Sequence, residues 1–178
     1  RRPTGVGVQA LTEAGRKQGI KRVGQISPDE VYGSLGPEGA FTESSPIQPN
    51  NPYAATKASA DFLVRAAGRS HGLDTAITRC SNNYGPYQFP EKLIPLITLK
   101  GLAGEQMPVY GKGDNVRDWL YFDDHVSAVD AVLWNGRPGA TYDIGGQGEL
   151  IKLNVVNTIF ESLDRDRPEQ TPHTMCIQ

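Results

Sequence analysis

Apolar positions along this chain follow two alternating rhythms, one of helical spacing and one of short continuous runs. Residues 9–18 mix Ala, Leu, Glu, Arg and Lys, which predicts a helix stopped at Gly19, a residue suited to a left-handed C-cap. Residues 21–27 predict a short buried strand, broken at Pro28. The stretch 33–52 is rich in Gly, Pro, Ser and Asn and reads as a long surface loop. From residue 53 to about residue 71 the pattern is helical again, with Phe62, Leu63 and Ala66 at core spacing and Gly72 as the stop. Residues 74–79 predict a second strand. A loop through Asn82, Asn83, Gly85 and Pro86 follows, then a helix over about 91–102, with further helices expected at 124–134 and 153–163.

Helix and strand alternate, and the polar, chemistry-bearing segments follow the strands. That pattern predicts an α/β fold built on a doubly wound parallel sheet. The last third has few and short strands, and reads as a smaller appended lobe. The expected division is residues 1–84 for the remainder of a nucleotide-binding domain that carries the catalytic groups. Residues 85–178 would be mainly a substrate-binding lobe, with some segments returning to the first domain. Such a domain opens with a strand and a glycine-rich turn whose N–H groups cradle a pyrophosphate. Gly5-Val6-Gly7 is the nearest candidate, but no strand precedes it and no third glycine follows at the right spacing. It reads as a helix entrance, and the N-terminal strands of the domain are expected to be missing from this chain.

Composition narrows the function classes. With 178 residues there is room for one ordinary domain or part of a larger one, and 38% hydrophobic residues suffice for a packed core. No apolar run approaches a membrane span, and no secretory signal follows the basic N-terminus. A net charge of −2 with both signs interspersed argues against nucleic acid as a partner. Cys80 and Cys176 stand far apart and outside any CxxC spacing, so neither a metal cluster nor a disulfide framework is expected, and a reducing cytoplasm is the default setting.

Three clusters carry candidate chemistry. Ser27-Pro28-Asp29-Glu30-Val31-Tyr32-Gly33 places adjacent carboxylates at a strand end, where an acid and a base can work side by side; a solvated acidic turn is the commoner meaning of a bare Asp-Glu pair. Tyr53-Ala54-Ala55-Thr56-Lys57 places a phenol and an ammonium on one helix face at i, i+4. The nearby ammonium is expected to lower the tyrosine pKa, so that the phenolate can take a proton from a substrate hydroxyl as hydride leaves the carbon. The third runs from Arg79 through Ser81-Asn82-Asn83-Tyr84-Gly85-Pro86-Tyr87-Gln88-Phe89 to Lys92 and Leu93, denser in amide, aromatic and basic groups than a turn requires. All three clusters are expected at one edge of the sheet.

Taken together, Asp29-Glu30-Val31-Tyr32-Gly33, the YxxxK of Tyr53 and Lys57, and the run from Arg79 to Leu93 resemble the dTDP-glucose 4,6-dehydratases, extended short-chain dehydrogenase/reductases with a Rossmann-like fold. Pro108-Val109-Tyr110-Gly111, Asn115-Val116-Arg117-Asp118-Trp119-Leu120-Tyr121 and Tyr142-Asp143-Ile144-Gly145-Gly146 continue the likeness, which covers roughly residues 7–166.

The resemblance implies an NAD-dependent lyase acting on a nucleotide-diphosphate sugar, dTDP-glucose, and a cytoplasmic homodimer. Tyr53, assisted by Lys57, would take the proton from the 4-hydroxyl as NAD accepts hydride from carbon 4. Glu30 would remove the proton on carbon 5, Asp29 would protonate the departing 6-hydroxyl, and hydride would return to carbon 6. Tyr53, Lys57 and Asn83 would contact NAD. Asn82, Lys92, Leu93, Pro108, Tyr110 and Arg117 would line the substrate with the acid–base pair, Arg117 offering a planar guanidinium to the diphosphate. A 4-epimerase of the same superfamily needs the Tyr and Lys but has no use for groups that eliminate water. The other alternative is a catalytically impaired remnant that only binds a partner or a nucleotide sugar, favoured by Pro28 and the missing glycine-rich turn and opposed by the intact Asp29, Glu30, Tyr53 and Lys57. Three positions depart from the family pattern: Pro28 stands for Thr, Gln147 for Asn and Thr4 for Asn.

Overall fold

The stretch Thr75–Cys80 is buried at all six positions, as a strand covered on both faces must be. Around it the computed structural model, which describes residues 4–36, 39–109, 113–166 and 175–177, arranges the chain as follows. In order come α1 (Thr4–Lys17), β1 (Val23–Pro28), a 3-10 turn (Asp29–Tyr32), α2 (Pro52–His71), β2 (Thr75–Cys80), β3 (Asn82–Tyr84) and α3 (Leu93–Leu102). Then follow β4 (Met107–Val109), β5 (Val116–Tyr121), α4 (Phe122–Asn135), β6 (Thr141–Ile144), β7 (Glu149–Ile151), α5 (Lys152–Asp166) and β8 (Met175–Ile177). Two compact units result: Arg1–Ser81 with Asp123–Gly145, and Asn82–Phe122 with Gly146–Gln178.

The first unit holds a parallel sheet of order β1-β2-β6, with Ser27 opposite Arg79 and Arg79 opposite Asp143. Helices cover both of its faces. Arg79, in register with Ser27, bonds Asp61 of α2, which places α2 on that face. Gly24 has the opposite parity and so points to the other face, where Leu133 of α4 comes within 3.6 Å of the position a Cβ would take. Arg22 pins that side: its guanidinium reaches Asp74 and the carbonyls of Leu133 and Gly136 at the end of α4. This is the doubly wound α/β arrangement that the helix–strand alternation predicts.

Local signals explain the helix ends. Asn51 caps α2 by accepting from the Ala54 N–H, Pro52 occupies the first turn, and Gly72 closes the helix at φ 67°. Gly5 and Gly7 lie in the first turns of α1, as a helix entrance rather than a phosphate cradle. Gly5 lets α1 approach α2, since a Cβ there would sit 3.5 Å from that of Ser59. The inward stripe of α2 differs from the expected one. Ala54, Ala58, Asp61 and Val64 are buried, whereas Phe62 is 51% exposed. Small alanines and a hidden carboxylate make the inner face look only weakly apolar in sequence, so the larger apolar residues suggest the wrong stripe.

The second unit has β5 between β3, parallel to it, and β7, antiparallel to it, and β4 pairs in parallel with β8. Helices α3 and α5 pack through Ile97, Val156 and Phe160, with Leu93, Leu153 and Ile159 against them. Among the described residues no helix is long and apolar enough to cross a membrane.

Gly33 ends the 3-10 turn at φ 94°, ψ −135°, a region that is open to glycine and little else, and a Cβ there would run into the Gln48 carbonyl oxygen. Gly33→Ala is therefore expected to lower the stability of the chain by about 1–3 kcal/mol in urea unfolding.

Candidate active site

Strand β1 delivers its C-terminal end directly into the turn that carries Asp29 and Glu30. Pro28 is the last strand residue and precedes the 3-10 turn at φ −88°, ψ 158°, an extended conformation that proline adopts freely. Asp29 is half-buried and Glu30 exposed. Val31 and Tyr32 are buried and, with Ala58, form a small core under the turn that Phe41 and Ile47 cover. The loop after the turn is held by the Gln48 N–H bonding the Val31 carbonyl at 3.0 Å.

Helix α2 begins beside this turn and brings the second cluster to it. The charge of Glu30 acts on Tyr53, whose pKa is raised first by burial and then by that carboxylate. Lys57 donates from Nζ to the Ile26 carbonyl at 2.9 Å. The expectation that Lys57 lowers the tyrosine pKa is thus corrected in this structure. The ammonium is engaged on the backbone of β1, while burial and a neighbouring anion both favour the neutral phenol.

Beneath both clusters lies a charge network that spacing alone did not single out. Arg79 of β2 is 3% exposed and pairs with the buried Asp61 at 3.1 Å. It also donates to the Tyr32 hydroxyl at 2.8 Å, with its guanidinium carbon 4.8 Å from the Tyr32 ring centre. Tyr32 in turn donates to Asp143 at 2.7 Å, and Phe41 stacks on its ring at 5.0 Å. Burial opposes the charge on Arg79, yet Tyr32 and Asp61 together hold its pKa above the usual arginine value. Burial pushes the Asp61 carboxyl up, with Arg79 opposing. It pushes Asp143 up as well, against the bond from Tyr32. A signal for this network did exist: Asp61 continues the i, i+4 series of Tyr53 and Lys57, and a buried arginine in an all-buried strand requires an acceptor.

The third cluster is split. Arg79 belongs to the first unit, while Asn82, Asn83, Lys92 and Leu93 belong to the second. Asn82 and Asn83 form β3 opposite Trp119 and Leu120 of β5, and the Asn83 carbonyl accepts from Gln88 at 2.9 Å. Lys92 is exposed at the start of α3, and Leu93 leans on the α3–α5 core. Arg117 is exposed on β5, next to Asp118, whose carboxylate accepts the N–H groups of Gly146 and Gly148 at 2.7 Å each. Gln147 sits between those glycines at φ 51°. Pro108 lies in β4, and Tyr110 lies outside the described residues. A cleft of about 490 Å³ opens at the opposite end of β2, lined by Arg65, Arg69, Asp74 and Pro138 among others, and none of the expected site residues reaches it.

A phenol, an ammonium and two carboxylates thus gather at the carboxyl ends of parallel strands, where open α/β sheets bind their ligands. Comparison with known proteins gives the family. The chain belongs to the GDP-mannose 4,6 dehydratase family, whose model matches residues 2–174. It is 50% identical over 174 residues to the dTDP-glucose 4,6-dehydratase of Xanthomonas campestris pv. campestris, covering 93% of this chain and 50% of the relative. To that of Streptomyces niveus it is 52% identical over 161 residues, covering 90% and 48%. The crystal structure of the Bacillus anthracis dTDP-glucose 4,6-dehydratase in complex with NAD superposes with a TM-score of 0.89 at 46% identity, over 97% of this chain and 55% of that one. The UDP-glucuronic acid 4-epimerase of Bacillus cereus, in complex with UDP-glucuronic acid and NAD, superposes at 0.86 with 25% identity, over 98% and 54%. The chain spans about half the length of the curated relatives it matches.

Removing one partner of the Arg79–Asp61 pair leaves the other charge buried without a counterion. Asp61→Asn is expected to destabilise the chain by about 3–5 kcal/mol in denaturant unfolding at neutral pH.

Proposed function

We propose that this chain is the catalytic and substrate-binding half of an NAD-dependent lyase that converts dTDP-glucose to dTDP-4-keto-6-deoxyglucose. The observation that carries the reading is the Asp29-Glu30 turn directly after β1, with the Glu30 charge reaching Tyr53. The same chain is half identical to dTDP-glucose 4,6-dehydratases. The first unit supplies the acid–base chemistry. Tyr53 takes the 4-hydroxyl proton once Lys57 turns its ammonium from the Ile26 carbonyl toward the phenol. Glu30 then removes the proton on carbon 5, which the new ketone has made acidic, and Asp29 protonates the departing 6-hydroxyl as water leaves.

A phenol and an ammonium at i, i+4 at the carboxyl ends of parallel strands suit ribose hydroxyls and a nicotinamide, so Tyr53 and Lys57, with Asn83, are the residues that would hold the cofactor. NAD supplies a hydride acceptor for carbon 4 and the same hydride for carbon 6. Asn82, Lys92, Leu93, Pro108, Tyr110 and Arg117, within residues 85–178 apart from Asn82, line the nucleotide sugar, with Arg117 on its diphosphate. A cytoplasmic setting is part of the same reading, and so is a homodimer. A 4-epimerase reading leaves Asp29 and Glu30 without a task.

A hybrid in which this chain replaces the matching half of the Xanthomonas campestris relative tests the proposal. It is expected to form the 4-keto product from dTDP-glucose. Tyr53→Phe should abolish reduction of NAD. Glu30→Gln should slow elimination by about 100- to 10,000-fold and let reduced cofactor accumulate, read by absorbance in a single turnover. Loss of the absorbance signal in Glu30→Gln as complete as in Tyr53→Phe would contradict the role given to Glu30.

A further inference from the structure

The turn with Asp29 and Glu30 and the helix with Tyr53 and Lys57 belong to different elements, and their alignment has a physical cause. Tyr32 is the last residue of the four-residue turn, two positions after Glu30. Its hydroxyl accepts from Arg79 and donates to Asp143, and its ring stacks with Phe41 while the Arg79 guanidinium lies 4.8 Å from the ring centre. Asp61 stands one helical turn beyond Lys57 and two beyond Tyr53 on the same face of α2. Arg79 grips both: Nε goes to Asp61 at 3.1 Å and a terminal nitrogen to Tyr32 at 2.8 Å. The residue that does this sits on the central strand, in register with Ser27 at the end of β1 and with Asp143.

We propose that Arg79 is a positioning residue, fixing the acid–base turn to the tyrosine–lysine helix through Tyr32 and Asp61. The catalytic part of this inference rests on the functional reading above; the mechanical part does not. The guanidinium presents its donors in a rigid planar fork, a geometry that the single ammonium of a lysine on its flexible stem does not reproduce. A buried ion pair adds little net stability over apolar residues of similar size. What the network confers is geometry. The charge of Glu30 reaching Tyr53 is in keeping with a turn held close to that helix.

Two variants of the 178-residue chain separate positioning from simple stabilisation. Tyr32→Phe keeps the ring that stacks with Phe41 and removes only the hydroxyl. The double change Arg79→Met with Asp61→Leu replaces the ion pair by apolar packing and is expected to leave the unfolding transition near that of the parent. In both, hydrogen exchange of the Gly33 and Gln48 amides, which close the turn onto Glu30 and Val31, should quicken at least roughly tenfold. The Ala55 amide at the start of α2 and the Ile77 amide of β2 should be unchanged. Unchanged exchange at Gly33 and Gln48, or a uniform rise at all four amides, would overturn the proposal.

In the hybrid, Tyr32→Phe should lower kcat at least roughly tenfold with KM unaltered, and reduced cofactor should accumulate. An unaltered kcat would overturn the catalytic part. A parent hybrid without activity would count against the functional reading alone, and the exchange measurement would still decide the positioning.

Discussion

A guanidinium buried in the central strand of a parallel sheet has to be met by acceptors, because its charge cannot be left in an apolar interior. Here the acceptors come from the turn after β1 and from α2, and Tyr32 passes the network on to β6. The strand register makes this possible, since Ser27, Arg79 and Asp143 lie in one row across the sheet. Once those bonds form, the turn, the helix and the end of β6 have little freedom relative to one another. The loop that follows is drawn in as well, through Phe41 on the Tyr32 ring and Glu43 on the Asp143 N–H. Two backbone N–H groups, its own and that of Asp143, bond the Glu43 carboxylate and hold its pKa below the usual range.

Much of this was legible in the sequence. Asn51 before α2, Pro52 at its start and Gly72 after it mark that helix closely, and α4 and α5 fall within a few residues of their expected bounds. The strands of the second unit were not legible. β5 reads Val-Arg-Asp-Trp-Leu-Tyr, with charges where an alternating pattern needs apolar residues, and β3 and β7 are only three residues long. The inward face of α2 was misread because its burial rests on alanines and Asp61. The lowered tyrosine pKa expected from the YxxxK spacing failed because spacing gives a shared face but not a direction, and Lys57 turns to the Ile26 carbonyl.

Two departures from the family pattern are accommodated by the backbone. Pro28 stands where the chain is extended and where the following turn calls for no donated N–H from that residue, so proline costs the local structure little. It does remove the hydroxyl that threonine would place beside the acid–base pair. Gln147 takes a left-handed conformation that suits asparagine better. It is held there by Asp118, which clamps the glycine N–H groups on either side, and Gly146 is required because a Cβ would meet the Trp119 carbonyl oxygen.

Dehydratase and epimerase readings share the phenol, the ammonium and the fold, and they part on where the hydride goes. Epimerisation returns it to carbon 4, whereas elimination across carbons 5 and 6 leaves carbon 6 as the acceptor. The most direct measurement is therefore the fate of deuterium placed at carbon 4 of dTDP-glucose, followed by mass spectrometry and NMR of the product formed by the hybrid protein. The account predicts a 4-keto-6-deoxy product with the label on carbon 6. Label retained at carbon 4 of a sugar that still carries its 6-hydroxyl would contradict it.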